Sequence, residues 1–535
     1  MRLIALVIML SAVLAGWAGA AEKPSKAKPL ATPEAVEKGK EIYFKRCSFC
    51  HGLMGDGNGP AARQMIPRPR DFTVGLYKFR TTQSGELPTD EDLFRTISRG
   101  IPGTAMQAFD SDVIKNGLSE EERWQVIQYV KTFFNGFLDP ETDPYKQVVK
   151  VSTQIASSSE SIEKGSKIFK EMKCWECHGD GGKGNGPNAP KLKDKFRKDP
   201  ILPFDLTKGW RYKAGNAPQD IYMRFNTGLN GTPMPSFTDS LNDEERWHLA
   251  NYVVSLQKRE INDELVLKAG YVKGDLPDDP ESAIWKGMAG IDVRMAGQVV
   301  AHPRWENPSV DIVTVKAVYN DKDIAFLMEW SDRFEDAVHN NDLEYQAPKA
   351  YDGYTSWEDV PRKPGNFRDS VALQFPAAMA DGVKKPHFFR GDSGNAVRLW
   401  TWKSDQQCEG KNPVDEAMAR GFQQPPKVLD EKQVIGKGVW KDGVWRVVMK
   451  RALTTTGKND VQFTKGKFIP IALNAWDGSN GEQGLLMSIS SWHYVMMEDS
   501  TPVYVYLYTF FGIAFVGAAE YFWIIRRGRK DGEGA

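Results

Sequence analysis

The sequence is short of cysteine, with five residues in 535, and it has no excess of either charge, 70 Lys plus Arg standing against 70 Asp plus Glu. Without a net field, nothing global draws the chain to nucleic acid or to anionic lipid. Nucleic-acid binding is therefore excluded as the leading function class. Tryptophan (16) and phenylalanine (27) are instead plentiful, enough to line large cofactor pockets or to fill wide β cores. Domains of ordinary size divide a chain this long into roughly three or four units.

The two ends carry apolar runs of different kinds. Leu3 to Trp17, after Arg2 and before Ala18-Gly19-Ala20, is too short to span a bilayer and has the pattern of an export signal cleaved after Ala20. Residues 1–20 are thus expected to be a signal peptide. Val503 to Ile525 is a run of 23 residues with Glu520 as its one charge, long enough to cross a membrane. Tyr504, Tyr506 and Tyr508 mark one interface, Tyr521, Phe522 and Trp523 the other, and Arg526, Arg527, Arg529 and Lys530 follow. These signals predict a transmembrane helix over 502–525, its basic tail in the cytoplasm and the bulk of the chain in the periplasm. The run lacks histidine, so it cannot offer the imidazole pair of a haem held inside a membrane, and it reads as an anchor.

Four of the five cysteines fall into Cys47-Ser48-Phe49-Cys50-His51 and Cys174-Trp175-Glu176-Cys177-His178. Cysteines three apart lie one helical turn from each other, so both thiols reach the two vinyl groups of one porphyrin while the adjoining histidine meets the iron. A zinc site would need further Cys or His nearby, and a redox pair does not need the histidine that occurs twice. The reading is covalent haem c at both sites.

The flanks repeat as well. Glu37-Lys38-Gly39 to Tyr43 answers Glu163-Lys164-Gly165 to Phe169, and Gly55 to Pro60 answers Gly182 to Pro187. Leu118 to Trp124 likewise answers Leu241 to Trp247. These are tandem copies of one unit. Both copies resemble class I cytochromes c, over 33–135 and 160–258. Gly39 and Gly165 suit the close crossing of that family's first and last helices, where Tyr43 and Phe169 are expected to pack.

A sixth iron ligand is expected at matching places in the two copies. Met106 and Met234 each follow a Gly-Thr pair, and they lie 55 and 56 residues after His51 and His178. Met54, Met65 and Met223 lack such counterparts. A methionine–histidine pair raises a haem's potential and leaves no open position, so these units read as conductors rather than catalysts.

Beyond a linker at 136–160 and a second around 275–281, the apolar period becomes two. Val313 to Tyr319 and Ile324 to Trp330 form a hairpin about Asn320–Asp323, Val439 to Met449 form another about Asp442-Gly443, and Val371, Leu373 and Phe375 mark a further strand. The fold class expected is multidomain: two mostly α cytochrome c domains, an antiparallel β-sandwich over 275–497 and the C-terminal helix.

Met328–Asp332, Asp369–Pro376, Gly391-Asp392 with Val397–Lys403, Asn474–Gly478 and Ser488–Trp492 together resemble the haem-binding gamma subunit of ethylbenzene dehydrogenase and its relatives in the dimethylsulfoxide-reductase group. The resemblance implies a haem b held by a methionine and a lysine. Where the methionine is expected, before Gly391, stands His387-Phe388-Phe389-Arg390, and where the lysine is expected, before Ser488, stands Leu485-Leu486-Met487. His387 and Met487 are the candidate substitute pair; a surface histidine and a core methionine, in a docking module without cofactor, are the plain alternative. Cys408 reads as a lone thiol in a loop.

The resemblance further implies an electron-transfer subunit, itself not catalytic, of a respiratory molybdenum oxidoreductase acting on nitrite, nitrate or a hydrocarbon. Its partners would be molybdopterin and iron–sulfur subunits and a downstream cytochrome or oxidase. The alternative is a ligand- or sugar-binding sandwich coupled to cytochrome modules.

Overall fold

The computed structural model describes residues 31–62, 65, 67–199, 201–258, 260–300, 308–338, 367–378, 385–430, 432–457, 460–498 and 503–532, with side chains of the last helix described over 507–523. The expected signal peptide at 1–20 lies outside them.

The first cytochrome unit is built from α1 (Pro33–Arg46), the single turn α2 (Ser48–His51), α3 (Asp90–Arg99) and α4 (Glu120–Lys131). Its counterparts in the second unit are α5 (Ser159–Glu171), α6 (Trp175–His178), α7 (Pro218–Thr227) and α8 (Asp243–Ser255). Local chemistry starts the helices alike. Ser119 and Asn242 close reciprocal caps with Glu122 and Glu245, and three acidic residues in each first turn suit the positive end of the helix dipole.

First and last helices cross where glycine alone fits. A Cβ on Gly39 would meet the carbonyl oxygen of Gln125, and one on Gly165 that of His248. Tyr43 is buried at its crossing, gives its hydroxyl to the Gly52 carbonyl at 2.7 Å, and sits 5.4 Å from the Tyr129 ring. Phe169 is likewise buried at its crossing, beside Tyr252, ring centroids 5.3 Å apart, but has no hydroxyl to give. The linker between the units is stitched to both. Val149 N–H reaches the Thr81 carbonyl, and Ser152 bonds Tyr222 and Trp247.

The remaining domain is one large sheet. Its strands are β1 (Val266–Tyr271), β2 (Gly290–Arg294), β3 (Ala296–Gly297), β4 (Ile312–Tyr319), β5 (Asp323–Ser331), β6 (Ser370–Pro376), β7 (Val397–Lys403), β8 (Val414–Ala419), β9 (Lys427–Val428), β10 (Ile435–Lys441), β11 (Val444–Ala452), β12 (Phe468–Trp476), β13 (Ser488–Ile489) and β14 (His493–Met497). The path runs β10-β11-β5-β4-β1-β14-β12-β6-β7-β8-β9. The expectation of a wholly antiparallel sheet is corrected here. β1 pairs parallel with both β14 and β4, and so joins two antiparallel halves into a single mixed sheet. Hairpins signal themselves locally; a strand arriving from outside its neighbours' hairpins does not.

The halves meet face to face over an apolar core. Phe326 on β5 approaches Phe375 on β6 at 6.1 Å between centroids, and Trp330 approaches Trp402 at 6.4 Å. The turn between β10 and β11 holds Asp442 at φ 54° and Gly443 at φ 72°, the left-handed pair that a two-residue hairpin requires. Cys408 is exposed at the end of a short helix, α9 (Ser404–Cys408), rather than in a loop.

The last helix, α10, spans Val503–Gly532, and its described side chains from Leu507 to Trp523 are exposed. The helix therefore forms where the membrane span is expected, but it runs on into the basic tail. Among the described residues no helix is long and apolar enough to cross a membrane.

Candidate functional site

In both cytochrome units the Cys-x-x-Cys-His segment is a short helical turn just beyond the first helix, closed by a glycine at positive φ, Gly52 or Gly179. The four cysteines are half-buried. Burial pushes the Cys47 thiol up to about 12 and that of Cys174 up to about 11.

The histidines carry the decisive geometry. His51 Nδ1 lies 2.9 Å from the Arg70 carbonyl oxygen, and His178 Nδ1 lies 3.0 Å from that of Phe204. A carbonyl only accepts, so each Nδ1 holds the proton and each Nε2 presents a lone pair. Burial pushes His51 down to about 4 and lowers His178 too, keeping both rings neutral at pH 7. A neutral, tautomer-fixed imidazole is the form that ligates iron. Phe72 stacks on the His51 ring at 4.6 Å, fixing its plane.

The methionine loops share one bonding pattern. Ile101 N–H bonds the Met106 carbonyl at 2.8 Å, while Met106 N–H reaches Thr104 Oγ1 at 3.1 Å. In the second unit Leu229 N–H bonds Met234 O at 3.1 Å and Met234 N–H reaches Thr232 Oγ1 at 3.2 Å. Gly103 (φ 71°) and Gly231 (φ 77°) turn the chain, and the threonine hydroxyls hold the turn closed. The repeated Gly-Thr pair thus presents a methionine at a set place. Met234 packs on the same apolar cluster as Cys174, whereas Met106 is half-buried in its loop. These thiols, lone pairs and thioethers form a donor set that suits covalently bound haem.

Of the two positions singled out in the sheet domain, one lies in the core and the other at the surface. Met487 is fully buried against Phe389, Trp476 and Ile489. His387 is exposed, and its Nδ1 accepts the Phe389 N–H at 3.1 Å. The Arg390 guanidinium lies against the methionine instead, with Nη2 3.8 Å from Sδ and 3.1 Å from the Gly484 carbonyl. Burial pushes Arg390 down only to about 10, so it stays cationic at neutral pH and has no lone pair for iron. Arg390 and Met487 do not fit the methionine–lysine pair that the resemblance implies.

Sequence reasoning passed over a buried acidic cluster in the same domain. Oxygens of Asp332, Asp369 and Asp477 lie within 4.8 Å of one another. Asp369 accepts from Trp445 Nε1 at 2.8 Å and from the Gly478 and Asp336 N–H groups. Burial first, and neighbouring carboxylates second, raise Asp332 and Asp369 well above the usual carboxylate range. The folded state therefore holds protons that the unfolded chain releases, and stability falls as pH rises from the ordinary carboxylate value toward the raised one. Asp332→Asn is expected to flatten that fall and to stabilise the domain by about 1–3 kcal/mol at neutral pH. Thermal unfolding of the full chain at pH 5 and pH 8 checks this, and an unchanged pH slope would contradict it.

Polar seams join the three bodies. Fully buried Arg80 bonds the Thr227 carbonyl at 2.8 Å, Arg224 returns to the Arg80 carbonyl at 2.7 Å, and Arg197 reaches the Asp56 carbonyl at 2.9 Å. Lys208 and Trp210 of the second unit hold Asp311 of the sheet domain at 2.6 and 2.8 Å. Lys258 pairs with Asp292 at 2.9 Å.

Comparison with known proteins agrees with this division. The cytochrome c family model matches residues 36–133 and 162–257, and the ethylbenzene dehydrogenase model matches 282–421 and 421–488. A protein named a respiratory nitrate reductase heme subunit, ORF7, of Haloferax mediterranei is 24% identical over 46% of this chain and 78% of its own length. The chlorate reductase subunit gamma of Ideonella dechloratans is 27% identical over 25% of this chain and 54% of its own. The chain spans between 54% and 78% of the curated relatives it matches. A chain of the Kuenenia stuttgartiensis reducing HAO-like protein complex is 48% identical over 42% of this chain and 96% of that one, with a TM-score of 0.39.

Proposed function

Because the chain belongs to the cytochrome c and ethylbenzene dehydrogenase families, as two cytochrome c domains followed by one domain of the second kind, we propose that it is the electron-transfer subunit of a respiratory molybdenum oxidoreductase of the nitrite, nitrate or hydrocarbon type. The observation that carries the proposal is the duplicated histidine geometry. Two imidazoles are held by backbone carbonyls with Nε2 free, each in a unit that repeats the same methionine loop. Such units pass single electrons and bind no substrate. Relatives whose names speak of nitrate and chlorate reductases support the class of complex.

Each unit has its own part. The domains take one covalent haem c each, on Cys47/Cys50 and Cys174/Cys177, with His51/Met106 and His178/Met234 as the axial pairs. The sheet domain docks the partner subunits that hold molybdopterin and iron–sulfur centres. A 30-residue α10 is about 45 Å long at 1.5 Å per residue, and its exposed Phe510, Phe511, Ile513 and Phe515 suit lipid. In this reading Val503–Ile525 is the anchor, and the domains face the periplasm behind a cleaved signal.

Purification of the native assembly from its membrane tests the proposal. Molybdenum and iron–sulfur subunits are expected to accompany the chain through successive columns. A chain recovered alone, with its c haems reduced by no molybdenum enzyme of the same cell, would overturn it.

A further inference from the structure

Cations gather where the two cytochrome units and the sheet domain meet. The repeat explains two of them. Asp71 and Asp205 each accept the N–H of the threonine two residues on, at 2.9 Å in both units, so these stretches correspond. A Tyr-Lys pair follows in each, Tyr77-Lys78 and Tyr212-Lys213. Both lysines turn to the seam. Lys78 pairs with Asp194 of the second unit at 3.6 Å, and Lys213 feels the charges of Lys78, Arg70, Arg211 and Arg333. Burial first, and these cations second, push Lys213 down to about 8.

Carboxylates answer only part of this gathering: Asp194 pairs with Lys78, Asp71 with Arg197 and Asp311 with Arg211. Lys213 makes no hydrogen bond and no ion pair among the described residues, and the buried atoms Arg333 Nε, Arg197 Nη1 and Tyr77 Oη have no hydrogen-bond partner there. Donors buried without acceptors cost on the order of 1–3 kcal/mol each, so the site is built for an anion. Its place says which one. Arg70 supplies the carbonyl that orients His51, and Arg333, which belongs to the sheet domain, bonds the Pro203 carbonyl at 3.3 Å, next to the Phe204 that orients His178. One cation thus belongs to the residue that supports His51, and another bonds the neighbour of the residue that supports His178.

We propose that this junction receives the propionates of both haems, with Lys78, Lys213, Arg70 and the sheet-domain residue Arg333 neutralising carboxylates that would otherwise be buried without partners. The sheet domain then contributes a charge to the second haem. Its docking sets that haem's potential as well as holding the unit in place. This rests on the reading of two covalent haems; if that failed, no c-type spectrum would appear, whereas failure of the present inference leaves the spectrum intact and the potentials unmoved.

A cation beside a propionate favours the reduced haem, so its removal lowers the potential. Spectroelectrochemical titration of the full chain is the measurement. Lys213→Gln is expected to lower the reduced-to-oxidised ratio at fixed potential about tenfold, or about 59 mV for a one-electron couple, while Lys213→Arg stays at the wild-type value. Arg333→Gln is expected to move one of the two one-electron steps and spare the other. If Lys213→Gln fails to hold its haems, Arg333→Gln decides alone. Both steps unchanged within twofold in Lys213→Gln and Arg333→Gln would overturn the assignment. So would potentials that follow added inorganic phosphate, since the pocket would then belong to a free anion.

Discussion

A chain with Cys174 and Cys177 both replaced by serine is expected to carry one covalent haem instead of two. Serine cannot form the thioether links, and the half-buried site would be left to bind porphyrin only through its axial pair, His178 and Met234. The first unit should keep its haem, because its core is separate: Tyr77, Leu93, Trp124 and Ile127 cluster apart from Phe169, Tyr222, Trp247 and Leu249. Cys47→Ser with Cys50→Ser is expected to give the converse. Pyridine haemochrome spectra per chain, with haem staining after denaturation, make the count. Two stained haems surviving in either double variant would remove those cysteines from the attachment sites. The same spectra register any haem b, and the Arg390–Met487 contact leads us to expect none held by those two residues.

The second large effect concerns the sixth ligand. Met234→Ala and Met106→Ala are each expected to lower one haem's midpoint potential by about 0.1–0.3 V, within the ~0.8 V range that axial ligands span. Each should also open that iron to carbon monoxide after reduction. Met223→Ala is the control, since it lies on α7 outside the methionine loop, and its potentials should not change. A Met234→Ala chain with unmoved potential and no carbon monoxide shift would take Met234 out of the ligand set. Equal effects at both sites are expected because the loops carry the same bonds, from the threonine hydroxyl to the methionine N–H.

Much of this arrangement was legible in the sequence because its causes are local. Cys-x-x-Cys-His acts within one helical turn, and the Gly-Thr pairs act within six residues of their methionines. Repetition made both easier to see. Asp442-Gly443 fixed a two-residue hairpin for the same reason, since left-handed backbone at two successive positions has few sequence solutions. Arg390 belongs in the sequence only to a stretch that departs from the family pattern. That it lies against Met487, 97 residues on, follows from the packing of two distant loops on one sheet.

The long-range features escaped for a common physical reason. A parallel strand such as β1 draws its partners from residues far away in both directions, and the periodicity of its own six residues does not record them. The acidic cluster is similar: Asp332, Asp369 and Asp477 each look like an ordinary surface aspartate until three strand ends converge. The Tyr-Lys pairs did leave a trace, as they recur in the duplicated stretch, but one extra residue, Arg211, shifts the register and hides it.

The sequence by itself determined the two Cys-x-x-Cys-His turns, the matched methionine loops and the two kinds of domain, all through contacts made within a turn or repeated in a second copy. Tertiary structure alone decided how the bodies share charge. It placed Arg333 of the sheet domain beside the support of His178, turned Lys78 and Lys213 toward one seam, and set Arg390 where a ligand was expected. Those are contacts between residues brought together only when separate cores pack, and chain order carries no record of them.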